Sequence, residues 1–268
     1  MVKQIKQFIF KALGLVNYLR ILQRSYFLLY RTGLLKFNPT YSYHYFVKYL
    51  INEGDVVLDI GANLGYYSFL FARWTGDSGK VFSVEPIAVY NKIFNEKAKK
   101  YKNVTLYPYA LGEEEKTVEL VSSPQTGFLR TGLPHVYDPL RDGNFENQEF
   151  KFEAQMKKPS VLFENLNRID YIKCDVEGYE YIVLSDMKEI IRKFKPKVQV
   201  EVWPDNEKNL LVLFDDLGYT PYKLHKYQLI PLSDIERPIP GDYIFISKYQ
   251  ENQNYVRNSR VESNEPAS

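Results

Sequence analysis

The sequence predicts an α/β domain built on a mostly parallel sheet with helices on both faces. Three observations predict it. Short β-rich runs alternate with helical stretches from residue 56 onward. A turn bearing Gly61 and Gly65 follows the first apolar run at once, and an acid, Glu85, ends the second.

Taken in order, a short helix runs from Tyr43 to Leu50 after Asn38-Pro39 and stops near Asn52-Glu53-Gly54. VVLDI (56–60) is a buried strand, LGYYSFLFARW (64–74) a helix, KVFSVEP (80–86) the second strand, VYNKIFNEKAKKY (89–101) a helix and VTLYPYAL (104–111) the third strand. Residues 122–159 break this rhythm with Pro124, Gly127, Gly132, Pro134, Pro139 and Gly143, and are expected to form an irregular insertion, with a hairpin around it and a lid as its role. The alternation then resumes. IDYIKCDV is a strand, YEYIVLSDMKEIIRKF helical, KVQVEVW a strand and NEKNLLVLFDDLGY a helix, with TPYKLH and DYIFISK as the last two strands. The expected organisation is a basic helical extension over 1–52, the main domain over 53–248 and a polar, disordered tail over 249–268.

The formal net charge of +2 hides an asymmetry. Eight of the 35 basic residues and none of the 33 acidic ones lie in residues 1–52, so that segment carries +8 and the remainder −6. Ile5, Phe8, Ile9, Ala12, Leu13, Val16, Leu19 and Tyr26 mark a helical stripe in it, although Phe10, Ile21 and Leu28 fall on the opposite side. The first reading is a helix or two packed on the main domain. The alternative is a basic amphipathic helix resting on an anionic bilayer. Nucleic acid is not expected as a partner, because the rest of the chain is acidic. The single cysteine, Cys174, forms no internal disulfide, no run reaches the roughly 20 apolar residues of a membrane span, and no small-residue cleavage site follows an uncharged core. The expected location is the cytoplasm, with the inner membrane face as the peripheral variant.

In LDIGANLG, two glycines let the chain turn sharply where the first strand feeds its helix, which is where open parallel sheets bind ligands. The spacing is neither that of a phosphate-binding loop nor that of a dinucleotide fingerprint, which speaks against a nicotinamide-dependent oxidoreductase. Glu85, some 20 residues on, is placed to accept hydrogen bonds from both hydroxyls of a ribose. In KCDVEGYE, Lys173, Asp175, Glu177 and Glu180 crowd the end of an apolar strand, where unpaired charge is costly. Asp175 is the candidate for function there, and Glu180 a helix-start acid.

These stretches carry a resemblance. DVVLDIGANLGYYSFLFA, GKVFSVEP, VTLYPYALGEEE, IDYIKCDVEGYEYIVL and VQVEVW with LFDDLGY resemble, in order, the motifs of the FkbM family of S-adenosylmethionine-dependent methyltransferases, over roughly residues 53–247. The resemblance implies a Rossmann-like class I methyltransferase sheet of seven strands with the last one antiparallel. It also implies S-adenosyl-L-methionine as cofactor and O-methylation of a hydroxyl on a saccharide, glycolipid or related natural product. Asp59, Gly61, Asn63 and Gly65 would shape the methionine side of the cofactor pocket, Glu85 would hold the ribose, and Tyr109, Ala110 and Leu111 would lie near the adenine. The threonine-leucine-aspartate usual before the fourth strand is replaced by KPSVLFENLNRID.

Such chemistry asks for a base beside the acceptor hydroxyl. Asp175 is the first candidate, Glu177 the second and His135, in the insertion, a third, while Lys173 would orient a carboxylate or steady a developing oxyanion. His44 and His225 receive no role. Asp175 and Glu201, at the ends of consecutive strands, could offer oxygen ligands to a divalent metal, which is kept as a second option. A catalytically silent binding module on the same fold is the competing class of function.

Overall fold

The computed structural model describes residues 2–122, 127–236 and 241–251. The expected disordered tail falls largely on 252–268, outside the described residues. In chain order the elements are α1 (Val2–Arg31), α2 (Ser42–Phe46), β1 (Val56–Ile60), α3 (Ser68–Trp74), β2 (Lys80–Val84), α4 (Ala88–Ala98), β3 (Val104–Tyr107), β4 (Ala110–Leu111), β5 (Lys116–Ser122), β6 (His135–Val136), α5 (Pro139–Asp142), β7 (Phe150–Lys157), α6 (Pro159–Leu162), β8 (Tyr171–Cys174), α7 (Glu180–Asp186), α8 (Lys188–Phe194), β9 (Lys197–Val202), α9 (Pro204–Asp216), β10 (Tyr219–His225), β11 (Gln228–Pro231), β12 (Gly241–Ser247) and α10 (Lys248–Glu251).

The main sheet has eight strands in the order β11-β10-β12-β9-β8-β1-β2-β3. β1 pairs in parallel with β2 and β8, β2 with β3, and β8 with β9. The last strand, β12, slots antiparallel between β9 and β10. Val57, Leu58 and Ile60 of β1 are fully buried, as befits a central strand covered on both faces. One layer of the core gathers Leu58, Ile60, Ile172 and Val200 with Leu184 and Phe214 of α7 and α9, and the other packs Val57, Val81 and Ile244 against Phe71 of α3 and Phe46 of α2.

The eighth strand departs from the seven expected. β10 and β11 form a hairpin whose two turn residues, Lys226 and Tyr227, both have positive φ (47° and 60°). That is the geometry two-residue hairpins favour, but asparagine or glycine usually supplies it, so the turn carries no sequence signal. The expected third strand also divides, β3 staying in the main sheet while β4 joins a second sheet of order β4-β7-β5-β6. In that sheet β5 and β7 pair antiparallel from Lys116–Met156 to Ser122–Phe150, so the last part of the insertion expected over 122–159, Phe150–Lys157, is a regular strand, and the segment between the two strands stands on a hairpin.

α1 is interrupted at Gly14, whose φ of 72° and ψ of 169° are not helical. The part beyond it packs on the domain. Tyr18 and Leu19 are buried against Leu64, Ile87 and Ile93, the Gln23 side chain donates to the Leu64 carbonyl at 2.7 Å, and Arg20 pairs with Glu96 of α4.

Candidate active site

A cleft opens beyond the carboxyl ends of β1, β2 and β8, bordered by Gly61–Asn63, Glu85, Lys173–Glu177 and the insertion residues Thr131 to His135. This is the position that strand order dictates for a ligand in an open parallel sheet. Gly61 has a φ of 81°, and its N–H donates to the Val84 carbonyl at 3.0 Å. A Cβ on it would lie 1.7 Å from the Asp175 carbonyl oxygen, so only glycine lets the end of β1 run beside the end of β8. Gly65 answers a different need. It does not line the cleft; a Cβ there would strike the Phe69 ring at 2.3 Å and the Phe94 ring at 2.9 Å, so its place is in aromatic packing rather than at the cofactor expected beside it. The helix expected from residue 64 begins at Ser68, because Asn63, at φ 53°, and Gly65 continue the turn.

Asn63 makes three contacts. Its backbone N–H donates to Glu85 Oε2 at 2.8 Å, its Nδ2 to the Thr131 carbonyl at 2.6 Å, and its Oδ1 accepts from the Leu64 N–H at 2.8 Å. The glycine turn is thereby tied both to the acid that ends β2 and to the insertion above. Glu85 Oε1 accepts from the Ile87 N–H at 2.9 Å. Burial pushes the Glu85 carboxyl up to about 7 against the pull of those two N–H donors. Each oxygen keeps unused acceptor capacity, since a carboxylate offers about four acceptor sites and two are taken by these N–H groups, and the residue lines the cleft. Ala110, with Tyr109 and Leu111, lines the same cleft.

At the end of β8, Lys173 is 3% exposed and its Nζ lies 2.7 Å from Asp175 Oδ2. Burial alone would lower the lysine, but the carboxylates of Asp175 and Asp59 outweigh it and hold it above its ordinary value. Glu177 takes positive φ (56°), and burial, then the charge of Asp175, pushes its carboxyl up to about 8. Glu201, at the end of β9, is raised by burial and then by Asp175 and Glu177. Carboxylate oxygens of Asp175, Glu177 and Glu201 lie within 4.8 Å of one another, so Glu177, expected only as a base, joins the two acids of the metal option. Glu180 turns away from the cleft. Its oxygens accept from the N–H groups of Val176 (3.0 Å) and Gly178 (3.1 Å) and from Asn206 Nδ2 (2.9 Å), the structural part expected of it.

His135 lines the cleft, but both ring nitrogens are engaged, Nδ1 with the Leu133 carbonyl at 2.8 Å and Nε2 with Asp142 Oδ1 at 2.9 Å. No nitrogen is left to take a proton from a substrate, and the ring serves to brace the insertion. His44, given no role from sequence, does reach the cleft. Its Nδ1 lies 2.6 Å from the Tyr26 hydroxyl and its ring stacks on Tyr67 at 4.1 Å. The Tyr26 hydroxyl meets no other acceptor among the described residues, so it donates to Nδ1 and leaves the proton on Nε2. Burial and the Lys173 cation push the His44 imidazole down to about 3, which keeps it neutral. Tyr90 is the second cleft residue missed. Its hydroxyl and Asp59 Oδ1 are buried without a hydrogen-bond partner among the described residues, and both residues border the cleft. Buried polar atoms of this kind are rare in folded proteins and call for a partner, such as an ordered water or a ligand group.

Among solved structures, the chain is similar to a methyltransferase FkbM from Methylobacillus flagellatus, at 15% identity and a TM-score of 0.46 over 73% of this chain and 44% of that one. It is similar also to an S-adenosylmethionine-dependent O-methyltransferase from Thermotoga maritima, at 15% identity and 0.42 over 78% and 65%, and to an Aeropyrum pernix fibrillarin with natively bound S-adenosyl-L-methionine, at 12% identity and 0.41 over 73% and 67%. The chain thus spans under half the length of the first and just under two thirds of the second. No curated protein sequence matches it. The family model described as the methyltransferase FkbM domain matches residues 59–221. Because that match takes in more than half of the 268 residues and runs from the glycine turn through the strand-end acids to β10, the chain belongs to the FkbM methyltransferase family.

Proposed function

We propose that the protein is an S-adenosylmethionine-dependent O-methyltransferase acting on a hydroxyl of a saccharide, glycolipid or related natural product. The observation that carries this reading is the convergence, on one cleft, of the Gly61 turn, Glu85 and the Lys173–Asp175 pair. The residues suit the cofactor: Glu85 has acceptor sites beyond those taken by Asn63 and Ile87, and among the described residues neither Asp59 Oδ1, which could accept from an ammonium, nor the Tyr90 hydroxyl has a hydrogen-bond partner. When bound, the cofactor supplies a methyl group on a positively charged sulfur.

The chain's own part is placement and proton removal. Holding donor and acceptor in line can remove about 7 to 11 kcal/mol of barrier in favourable cases. Asp175, held in place by the Lys173 ammonium, would take the proton that the acceptor hydroxyl gives up on methylation. Glu177, whose carboxyl is pushed up to about 8, holds its own proton near neutral pH and becomes a second proton acceptor only once ionised, above about pH 8. The neutral His44, with its Nε2 proton, offers a hydrogen-bond donor for an oxygen adjacent to the reacting one, which suits an acceptor rich in hydroxyls. The insertion, tied down through Asn63, keeps water from the reacting atoms.

Calorimetry with S-adenosylmethionine, followed by measurement of S-adenosylhomocysteine released over a panel of methyl glycosides, tests the reading. Saturable binding and acceptor-dependent release are expected. Binding without release over any acceptor would point to a silent binding module, and absence of binding would remove the basis of the proposal.

A further inference from the structure

We propose that the outward side of α1 and the 3₁₀ turn that follows it dock on an anionic lipid surface. One side of α1 is consumed by the domain, through Tyr18, Leu19 and Tyr26. Away from these contacts, apolar side chains stay exposed on both parts of the segment: Phe8 at 73% before the break at Gly14, Leu28 at 63% beyond it and, in the turn Leu34–Phe37, Phe37 at 87%. Single exposed apolar residues are ordinary, but several bulky ones on one basic segment are not.

Their charged surroundings narrow the partner. Arg24, Leu28 and Arg31 recur at four and three residues, the spacing that puts side chains on one helix face, and Lys3, Lys11 and Lys36 are exposed near the other apolar residues. No acid occurs in residues 1–52, whose charge is +8. An apolar set framed mainly by cations, with Glu96 of α4 already paired to Arg20, matches a bilayer interface with negative headgroups, where rings and leucines enter the acyl boundary and lysines and arginines meet phosphates. Nucleic acid would use the cations and leave Phe8 and Phe37 without a partner. Among the described residues no helix is long and apolar enough to cross a membrane, so the contact is with one leaflet.

The same helix is joined to the catalytic half of the molecule. Phe10 meets Phe150 edge-on at 5.9 Å and Tyr18 meets Phe128 at 6.1 Å, so α1 grips the hairpin and insertion that border the cleft. Removing the helix would strip buried surface from the domain, and point substitutions on its outer side are therefore the proper probe. The docking proposal stands independently of the methyltransferase reading.

The test is co-sedimentation of the full chain with vesicles of mixed phosphatidylcholine and phosphatidylglycerol, against vesicles of phosphatidylcholine alone. Pelleting is expected with the anionic vesicles only, and salt should release it. Arg24→Gln with Arg31→Gln should lower partitioning by about fivefold per charge. Phe8→Ser with Phe37→Ser should abolish it while thermal unfolding and S-adenosylhomocysteine binding stay as in the parent protein. Equal pelleting with both vesicle types, no pelleting with either, or pelleting indifferent to the substitutions would overturn the proposal. So would a dimer in sedimentation velocity that Phe37→Ser dissolves, since the face would then belong to a second copy. Loss of cofactor binding in the parent chain with vesicle binding intact would refute the catalytic reading and leave docking in place.

Discussion

Glu85 gives the sharpest test, because its burial makes cofactor binding depend on pH in a defined direction. In the ligand-free protein the carboxyl is pushed from its ordinary 4.5 up to about 7. Two ribose hydroxyls donating to it, with a positive sulfur in the same cleft, favour the ionised form and lower that value on binding. The ligand-free protein then holds a proton that the complex gives up. Affinity for S-adenosylmethionine should accordingly rise about tenfold per pH unit up to about pH 7 and level off above it, a gain worth about 3 kcal/mol if the carboxyl returns to its ordinary value. Calorimetry in two buffers of different ionisation enthalpy should count close to one proton released near pH 6. Glu85→Gln should flatten this dependence, and Glu85→Ala should weaken binding by about 1.5 to 3 kcal/mol, roughly 10- to 150-fold. Both variants also leave the N–H groups of Asn63 and Ile87 poorly matched, so thermal unfolding must accompany the titrations. Affinity in the parent protein that is flat from about pH 5 to about pH 8, or an alanine variant that binds as tightly, would refute the ribose role.

Asp175→Asn should lower turnover by about 100- to 10,000-fold with a much smaller change in cofactor affinity, measured as S-adenosylhomocysteine release and by calorimetry; matching losses would move the residue from proton transfer to binding. Dialysis against EDTA should leave turnover unchanged, because the Lys173 ammonium already sits on Asp175; loss restored by Mg²⁺ would instead make ligands of Asp175, Glu177 and Glu201. Gly61→Ala should destabilise the fold by at least about 2 kcal/mol in urea unfolding, through the clash with the Asp175 carbonyl and a strained φ; parent-like stability would contradict the close approach of β1 and β8. Tyr26→Phe should turn His44 from a single tautomer into a mixture, read from the ¹⁵N shifts of a labelled imidazole; an unchanged spectrum would show that the tyrosine does not set the proton's place.

Much of the architecture was legible because it rests on short-range signals. The apolar runs of β1, β2, β8 and β9 and the turn at Gly61 announce a parallel sheet and its ligand edge from sequence alone. What stayed hidden depends on contacts distant in the chain. Nothing local tells that Lys226 and Tyr227 turn a hairpin, or that Ala110 leaves the main sheet to pair with Met156. Gly65 looked like a cofactor residue because spacing cannot distinguish a glycine that faces a ligand from one that faces Phe69 and Phe94. His44 reads as an isolated histidine in an aromatic stretch, and its value appears only when α2 brings it beside Tyr67 and Lys173, 23 and 129 positions away. Tyr90 was hidden for the opposite reason: on an amphipathic helix a buried tyrosine is ordinary, and only its unmet hydroxyl sets it apart.

The double attachment of Asn63 bears on the order of events in a turnover. One amide pins the insertion while the neighbouring backbone proton steadies the acid that would clasp the nucleoside. Raising the insertion to admit or discharge a bulky nucleoside would break the Asn63–Thr131 bond beside that acid, whereas a sugar approaching past His44 would leave it in place. Steady-state kinetics should then follow a compulsory sequence, with the nucleoside entering first and its spent form leaving last.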